Sequence, residues 1–310
     1  MPRALVPNGA TRGRGRTLPE LLTTLVISGI FFALLSAAFI GHERLVSGTA
    51  AIGEARAQVR HAHQILPAIV RGASVPGADV HAVSDTIVEL GYPIATAVVC
   101  RASPATQLVL APDTIAAGQR LAAWAHRPSP GDLAHIFDPG LATGTRDDRW
   151  YTAAVNGLGL APNACAGSAL LHPVADGVHV AHTLALGAWL GATPISVPTG
   201  ALVRFTRRAR VELYSASGRE HLGYSDFDGS LGRWSPIQPV SGPYYGATNP
   251  GIQFALADSL GVALPPGTTA GGVLLRMDVR SRTASQIRIV GMRRGLRAES
   301  LTAHIALRNR

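Results

Sequence analysis

From Leu21 to Ile40 the chain runs for 20 residues without a charge. As a helix this run spans about 30 Å, the thickness of one hydrocarbon core. Beyond it the apolar positions become periodic. Leu45, Ile52, Ala55, Val59, Ala62, Leu66 and Ile69 recur at spacings of three, four and seven, which makes one stripe on a helix. Glu54, Arg56, Arg60 and His61 fall largely off that stripe. Gly41, Gly48 and Gly53 weaken the helix locally. Pro67 is expected to bend or end it, and Gly72 with Pro76-Gly77 closes the segment. The pattern predicts a helix over 17–66, about 75 Å long at 1.5 Å per residue. Its first half suits lipid and its second half suits a globular domain.

After residue 72 the period changes. Thr86–Leu90, Ala95–Cys100 and Gln107–Leu110 read as short strands. Leu202–Phe205, Ala209–Tyr214, Gly272–Val279, Gln286–Val290 and Ala303–Leu307 follow, several alternating apolar and polar side chains as half-buried antiparallel strands do. Residues 151–200 mix both periods and receive no assignment. Residues 111–150 and 215–270, rich in Gly, Pro, Asp and Ser, are expected to be loops and turns. The expected class is α+β: a long N-terminal helix, transmembrane in its first half, packed on an antiparallel β-sheet domain.

Composition narrows the function classes. Of 310 residues, 47% are apolar and 15% charged, which excludes a disordered chain. Aromatics are 5%, so the core rests on Ala, Val, Leu and Ile. The formal charge is +9 and every cation is Arg. The arginines are scattered with few aromatics between them, so no specific nucleic acid is expected as a partner. The two cysteines, Cys100 and Cys165, exclude a disulfide-rich scaffold and a four-cysteine zinc site. They form either one bridge or two buried thiols.

Arg3, Arg12, Arg14 and Arg16 precede the apolar run, with no acid among residues 1–16. The positive-inside rule then puts the N-terminus in the cytoplasm and everything after Ile40 outside the inner membrane. A secretory signal peptide has a shorter apolar stretch, about 7–15 residues, and Ser36, Ala37 and Ala38 make only a weak cleavage site. Glu20 does not fit an ordinary anchor. A carboxylate at the edge of lipid is costly and needs a partner or a task. It serves either as a headgroup-level carboxylate favouring the helix N-terminus or as a functional charge.

Gly15-Arg16-Thr17-Leu18-Pro19-Glu20 resembles the class III signal of type IV prepilins. The resemblance implies cleavage by prepilin peptidase after Gly15, with Arg16 as the first mature residue and the site of N-methylation, and Glu20 as the fifth mature residue and the assembly charge. Arg16 departs from the usual Phe or other hydrophobic residue. Val203–Tyr214, Leu222–Tyr224 and the ending Ser300–Arg310 look, more weakly, like strands of minor pilins of the PilW type. The organisation implied is a leader over 1–15, a transmembrane helix over 16–40, the periplasmic half of the helix over 41–71 and a β-rich pilin-like domain over 72–310. The function implied is a minor pilin or pseudopilin of a type IV pilus, competence or type II secretion fibre. Its partners would be prepilin peptidase, other pilin or pseudopilin subunits and inner-membrane lipid. The rival from another class is a bitopic membrane enzyme or binding protein whose anchor stays whole.

No catalytic motif supports an enzyme: there is no G-x-S-x-G, no P-loop and no H-E-x-x-H. His61-x-His63 and His179-x-x-His182 lack nearby Cys or carboxylate ligands, so no metal and no cofactor are expected. Asp226-Phe-Asp228-Gly229-Ser230 resembles half of a calcium loop but lacks the later acidic ligands, which favours a tight turn. Asp147-Asp148, between Arg146 and Arg149, reads as a charged turn.

Overall fold

Leu18–Val70 form one helix, α1, of 53 residues. At 1.5 Å per residue it is about 80 Å long. The computed structural model describes residues 17–73, 79–115, 118–140, 148–171, 180–194, 196–244, 251–269, 272–283, 286–287 and 293–307. Thr17 caps the helix start with its backbone carbonyl, accepting the N–H of Glu20 and of Leu21 at 3.0 and 3.2 Å. Pro19 stands in the first turn, where an N–H has no intrahelical partner to lose. Pro67 does not end the helix as expected. It lies buried in the last turn, where the one bond it removes is its own to the His63 carbonyl, and its carbonyl accepts the N–H of Arg71 at 3.0 Å.

Among the described residues after the helix, the strands are in order β1 (Val80–Val83), β2 (Ile87–Arg101), β3 (Ser103–Pro104), β4 (Gln107–Leu110), β5 (Ala122–Trp124), β6 (Leu133–Asp138), β7 (Arg149–Pro162) and β8 (Val180–Trp189). There follow β9 (Ser196–Val197), β10 (Leu202–Ala216), β11 (Arg219–Asp228), β12 (Arg233–Trp234), β13 (Gln238–Tyr244), β14 (Ile252–Ala257), β15 (Leu274–Arg282) and β16 (Ala298–Ala306). All the pairings are antiparallel. The fold is α+β, a long N-terminal helix on an antiparallel β domain, as the periodicity predicts.

The pairing adds something periodicity does not carry. β2–β4–β8–β7–β6–β10 run side by side, and β10 returns to pair with β2, so six strands close into a ring. Ala97, Val99, Leu108, Leu110, Ile136, Val155, Leu184, Val203 and Phe205 form one core from these strands. A second core sits under the helix. Val59, Ala62, Leu66 and Val70 of α1 pack with Val88, Leu90, Val211, Leu222 and Tyr244, and with the β14–β15–β16 sheet through Ile252, Leu275, Met277 and Ile305. β2 and β10 are long enough to serve both cores, Ile94 to Val99 in the first and Val88 to Leu90 in the second.

Several expectations change. The strands expected at 86–90 and 95–100 are one strand, β2, which continues through Gly91 and Pro93. Pro93 faces Thr206 where the β2–β10 register shifts. Such a shift leaves room for a residue without an N–H. The described part of 111–150 is mainly loop and turn as expected, whereas that of 215–270 is more than half strand. The first holds β5, β6 and the start of β7, and the second holds the end of β10 with β11, β12, β13 and β14. The unassigned 151–200 holds most of β7, β8 and β9. Of the strand expected at 286–290, only Gln286 and Ile287 are described, Ile287 bridging Gly295. Leu45 is exposed, because the domain first meets the helix at Gly48. β10 turns into β11 through Ser217 and Gly218, with φ of 53° and 72°, the backbone of a two-residue hairpin turn.

Candidate functional site: the exposed apolar half of the helix

Gly48 is the first buried residue of α1, and the thirty helix residues before it are all exposed. Their surface is almost wholly apolar. Leu18 is 75% exposed and Phe32 69%, and Leu21, Leu25, Ile27, Ile30, Phe31, Leu34 and Phe39 are exposed with them. The helix is long and apolar enough to cross a membrane, with a mean hydropathy of 2.2 over its most apolar window and none of that window buried. A contiguous apolar surface of this size does not persist in water. It needs lipid, other apolar helices, or both.

Glu20 is the one charged side chain from Leu18 to Gly41. It sits in the first turn of α1, where its carboxylate favours the positive end of the helix. Its backbone carbonyl accepts hydroxyl bonds from Thr23 and Thr24, both at 3.0 Å, so these two hydroxyls are used within the helix. Gly15 and Arg16 lie outside the described residues. On the far side of the apolar run, His42, Glu43 and Arg44 are the first polar side chains.

No family model, no curated protein and no solved structure matches this chain.

Cys100 and Cys165 are joined in a disulfide, with their Cα atoms 5.7 Å apart. Cys100 ends β2, and Cys165 lies in the turn after β7. The bridge packs with Ala111 and Ala181 in a small core of its own. Ser168 Oγ donates to the Cys100 carbonyl at 2.5 Å, tying the same turn to β2. The bridge therefore fastens one end of the strand ring.

The other candidate residues are placed separately. Asp226 accepts the Tyr224 hydroxyl at 2.5 Å, which together with burial pushes the phenol pKa up. Asp228 closes a turn instead, its Oδ1 accepting the Ser230 N–H and hydroxyl at 2.9 and 2.5 Å and the Leu231 N–H at 3.1 Å. Those bonds, from the Ser230 hydroxyl first, hold its carboxyl below the ordinary range. His61 is exposed and His63 half-buried on α1. His182 bonds Asp113 at 2.8 Å and packs edge-on against Trp124, while His179 lies outside the described residues. Asp148 immediately precedes β7, and Asp147 lies outside the described residues.

Sequence reasoning missed two buried polar clusters on β10. In one, Arg204 holds Asp79, and His135 bonds Thr206 through Nε2 at 2.8 Å and Thr152 through Nδ1 at 3.0 Å. In the other, Glu89 takes Arg210 Nε at 2.9 Å and also Arg208, and Arg210 lies 4.2 Å from the Trp234 ring centroid. Burial pushes the Glu89 carboxyl up, but bonds from Arg208 and Arg210 outweigh it and leave the group below its ordinary value. Arg204, Arg208 and Arg210 share one face of a strand by their even spacing, and that was the signal available in the sequence. Every hydrogen-bonding atom of the His135 ring is engaged within the protein, so this cluster pins strands together.

Proposed function

We propose that the chain is a minor pilin or pseudopilin, an inner-membrane subunit stored by its helix and assembled into a fibre or tip complex. The observation that carries this reading is the division of one continuous helix. From Gly48 it locks onto the β domain, and from Leu18 to Gly41 it is bare, apolar and marked by a single charged side chain, Glu20, at its start. In a plain anchor that carboxylate only favours the positive helix end. A fibre subunit has a further use for it, because helices buried against each other need a charge to fix their axial register. The domain supports the same role: its antiparallel strands close into a bridged ring, and a second core seats the helix. In this reading the bare half of α1 packs first against lipid and then against the same half of neighbouring subunits. The protein is a substrate of prepilin peptidase and a building block, not a catalyst.

Mass spectrometry of the N-terminus tests the proposal. Cleavage after Gly15 removes Arg3, Arg12 and Arg14 and takes the formal charge from +9 to +6. The expected mature chain begins at Arg16, methylated on its α-amino group. Intact protein from Met1 to Arg310 in cells with active prepilin peptidase would instead favour a bitopic protein with its anchor kept whole.

A further inference from the structure

A polar pocket of about 310 Å³ opens beside α1 where the helix leaves its apolar stretch. Arg44, Ser47, Gly48 and Ala51 line it from the helix, and Gln286, Ile287 and Arg294 line it from the β15–β16 connection. The four helix positions share one face by their three- and four-residue spacing, and that face is the one turned towards the domain. We infer that this pocket binds the phosphate of an anionic membrane phospholipid, held between Arg44 and Arg294.

Depth is the first argument. Arg44 stands four residues past Ile40, about 6 Å along the helix axis. The headgroup layer on each side of a bilayer is roughly 5–8 Å thick. With the uncharged run in hydrocarbon, the Arg44 guanidinium lies at the level of the phosphates. Arg294 reaches the same level from the domain.

Charge is the second. Among the described residues no carboxylate lines the pocket. Arg44 and Arg294 are exposed, and among the described residues neither has a carboxylate partner, whereas Arg56 on the same helix pairs with Glu299 at 3.0 Å. The chain between Asp278 and Glu299 carries Arg280, Arg282, Arg288, Arg293, Arg294 and Arg297 and no acid. Arg297 bonds the Arg293 carbonyl through Nη2, and its Nε is buried without a partner. Among the described residues of this connection, Arg293 and Arg294 are exposed, and Arg294 lines the pocket. Two arginines lining one opening suit a phosphate, whose oxygens accept paired N–H donors. Ser47 and Gln286 add neutral donors to the same opening.

The inference rests only on the membrane-anchor part of the reading above, not on cleavage after Gly15. The full chain, solubilised in a non-ionic detergent, is titrated calorimetrically with short-chain phosphatidylglycerol, short-chain phosphatidylcholine and inorganic phosphate. Saturable one-site binding of phosphatidylglycerol is expected. Arg44→Gln and Arg294→Gln should each weaken it about fivefold, and Arg149→Gln, on the far strand β7, should leave it unchanged. The substituted side chains are exposed, so the fold persists. Equal affinity for phosphatidylcholine, equal affinity for inorganic phosphate, or indifference to both variants overturns the assignment. Failure of N-terminal processing changes the mass of the chain and leaves this titration untouched, so the two proposals fail separately.

Discussion

Arg204 grips both carboxylate oxygens of Asp79, at 2.7 and 3.0 Å. Asp79 immediately precedes β1 and is fully buried, while Arg204 lies on β10 among the strands of the closed ring. The pair therefore links the entry to the helix-side core with the ring beside it. Removing one partner of such a pair leaves the other buried and unmatched, which costs more than the pair contributes. Asp79→Asn keeps the volume and removes the charge. It should lower stability by about 3 kcal/mol, read from the denaturant midpoint of the full chain in detergent. A loss well below 1 kcal/mol would mean that water reaches Arg204.

His135 makes stability depend on pH. Burial, then the charges of Arg204 and His81, lower its pKa to about 3. Asp79 lies 3.5 Å from Nε2, but Arg204 already balances that carboxylate, and Nε2 bonds Thr206 instead. The folded ring stays neutral where the unfolded ring, with a pKa near 6.5, takes a proton. Stability is therefore complete above about pH 6.5 and declines as pH falls towards the folded value. The loss reaches about 2 kcal/mol by pH 5. His81, pushed down first by burial and then by Arg208, acts with the same sign. His135→Gln should flatten the slope between pH 7 and 5 in unfolding experiments. An unchanged slope would put the titration on another group.

The Cys100–Cys165 bridge closes a loop of 65 residues that contains β3 to β7. In the chain-entropy view, closing a loop of that length stabilises the fold by about 4 kcal/mol. Replacing both cysteines by serine should lower the unfolding midpoint accordingly. Reductant should lower the midpoint of the native chain to the same level and leave the serine variant unmoved. A reductant effect on the serine variant would mean that it acts on something other than this bridge.

Much of the helix and sheet was legible because their periods are regular. Ala55, Val59, Ala62 and Leu66 face the core at helical spacing. β15 alternates half-buried and buried positions from Leu274 to Val279, as a one-sided strand should. β7 was not legible, because its register with β8 shifts twice, between Ala153 and Val155 and again between Val155 and Gly157. Each shift moves the apolar side chains to the other face and mixes the period. In β6, Ala134, His135 and Ile136 are all buried, since the ring and the polar cluster cover both faces. β13 contains Pro239, Gly242 and Pro243, which read as a loop. Glu20 and the cysteines stood out singly. The Asp79–Arg204–His135 cluster did not, because its members are up to 125 positions apart and meet only through pairing of β2, β6 and β10.

Two turns meet at glycines. A Cβ on Gly131 would stand 2.3 Å from the Gly229 Cα, and one on Gly229 would stand 2.3 Å from the Gly131 Cα. Both obstacles are backbone, so neither can swing aside. Gly131 also has φ of 90°, and its N–H bonds the Val155 carbonyl at 2.9 Å. Gly229→Ala should cost about 1–3 kcal/mol by overpacking alone. Gly131→Ala should cost more, because it adds backbone strain. Thermal unfolding of both variants checks the order. The reverse order would mean that the 228–231 turn, not the Gly131 backbone, sets the cost.

Glu20 should matter for assembly and not for insertion. In the proposed fibre, cleavage after Gly15 leaves a new α-amino group on Arg16, charged unless its pKa falls well below about 7.7–8.0. The bare halves of neighbouring helices then pack where water is scarce. A lone carboxylate is unfavourable there, and so is a lone ammonium. Pairing Glu20 of an incoming subunit with the N-terminus of its neighbour offsets both costs and sets the axial register. The Arg16 guanidinium offers a second partner for the same carboxylate. Glu20→Gln keeps the shape and removes the charge, while the apolar run from Leu21 to Ile40 is untouched. Membrane levels and cleavage should therefore match the native protein, and recovery in the sheared fibre fraction, or with co-purified subunits, should fall severalfold. Equal incorporation at equal membrane level would reduce Glu20 to a carboxylate that favours the helix end, and the register of the fibre would then have to come from helix packing alone.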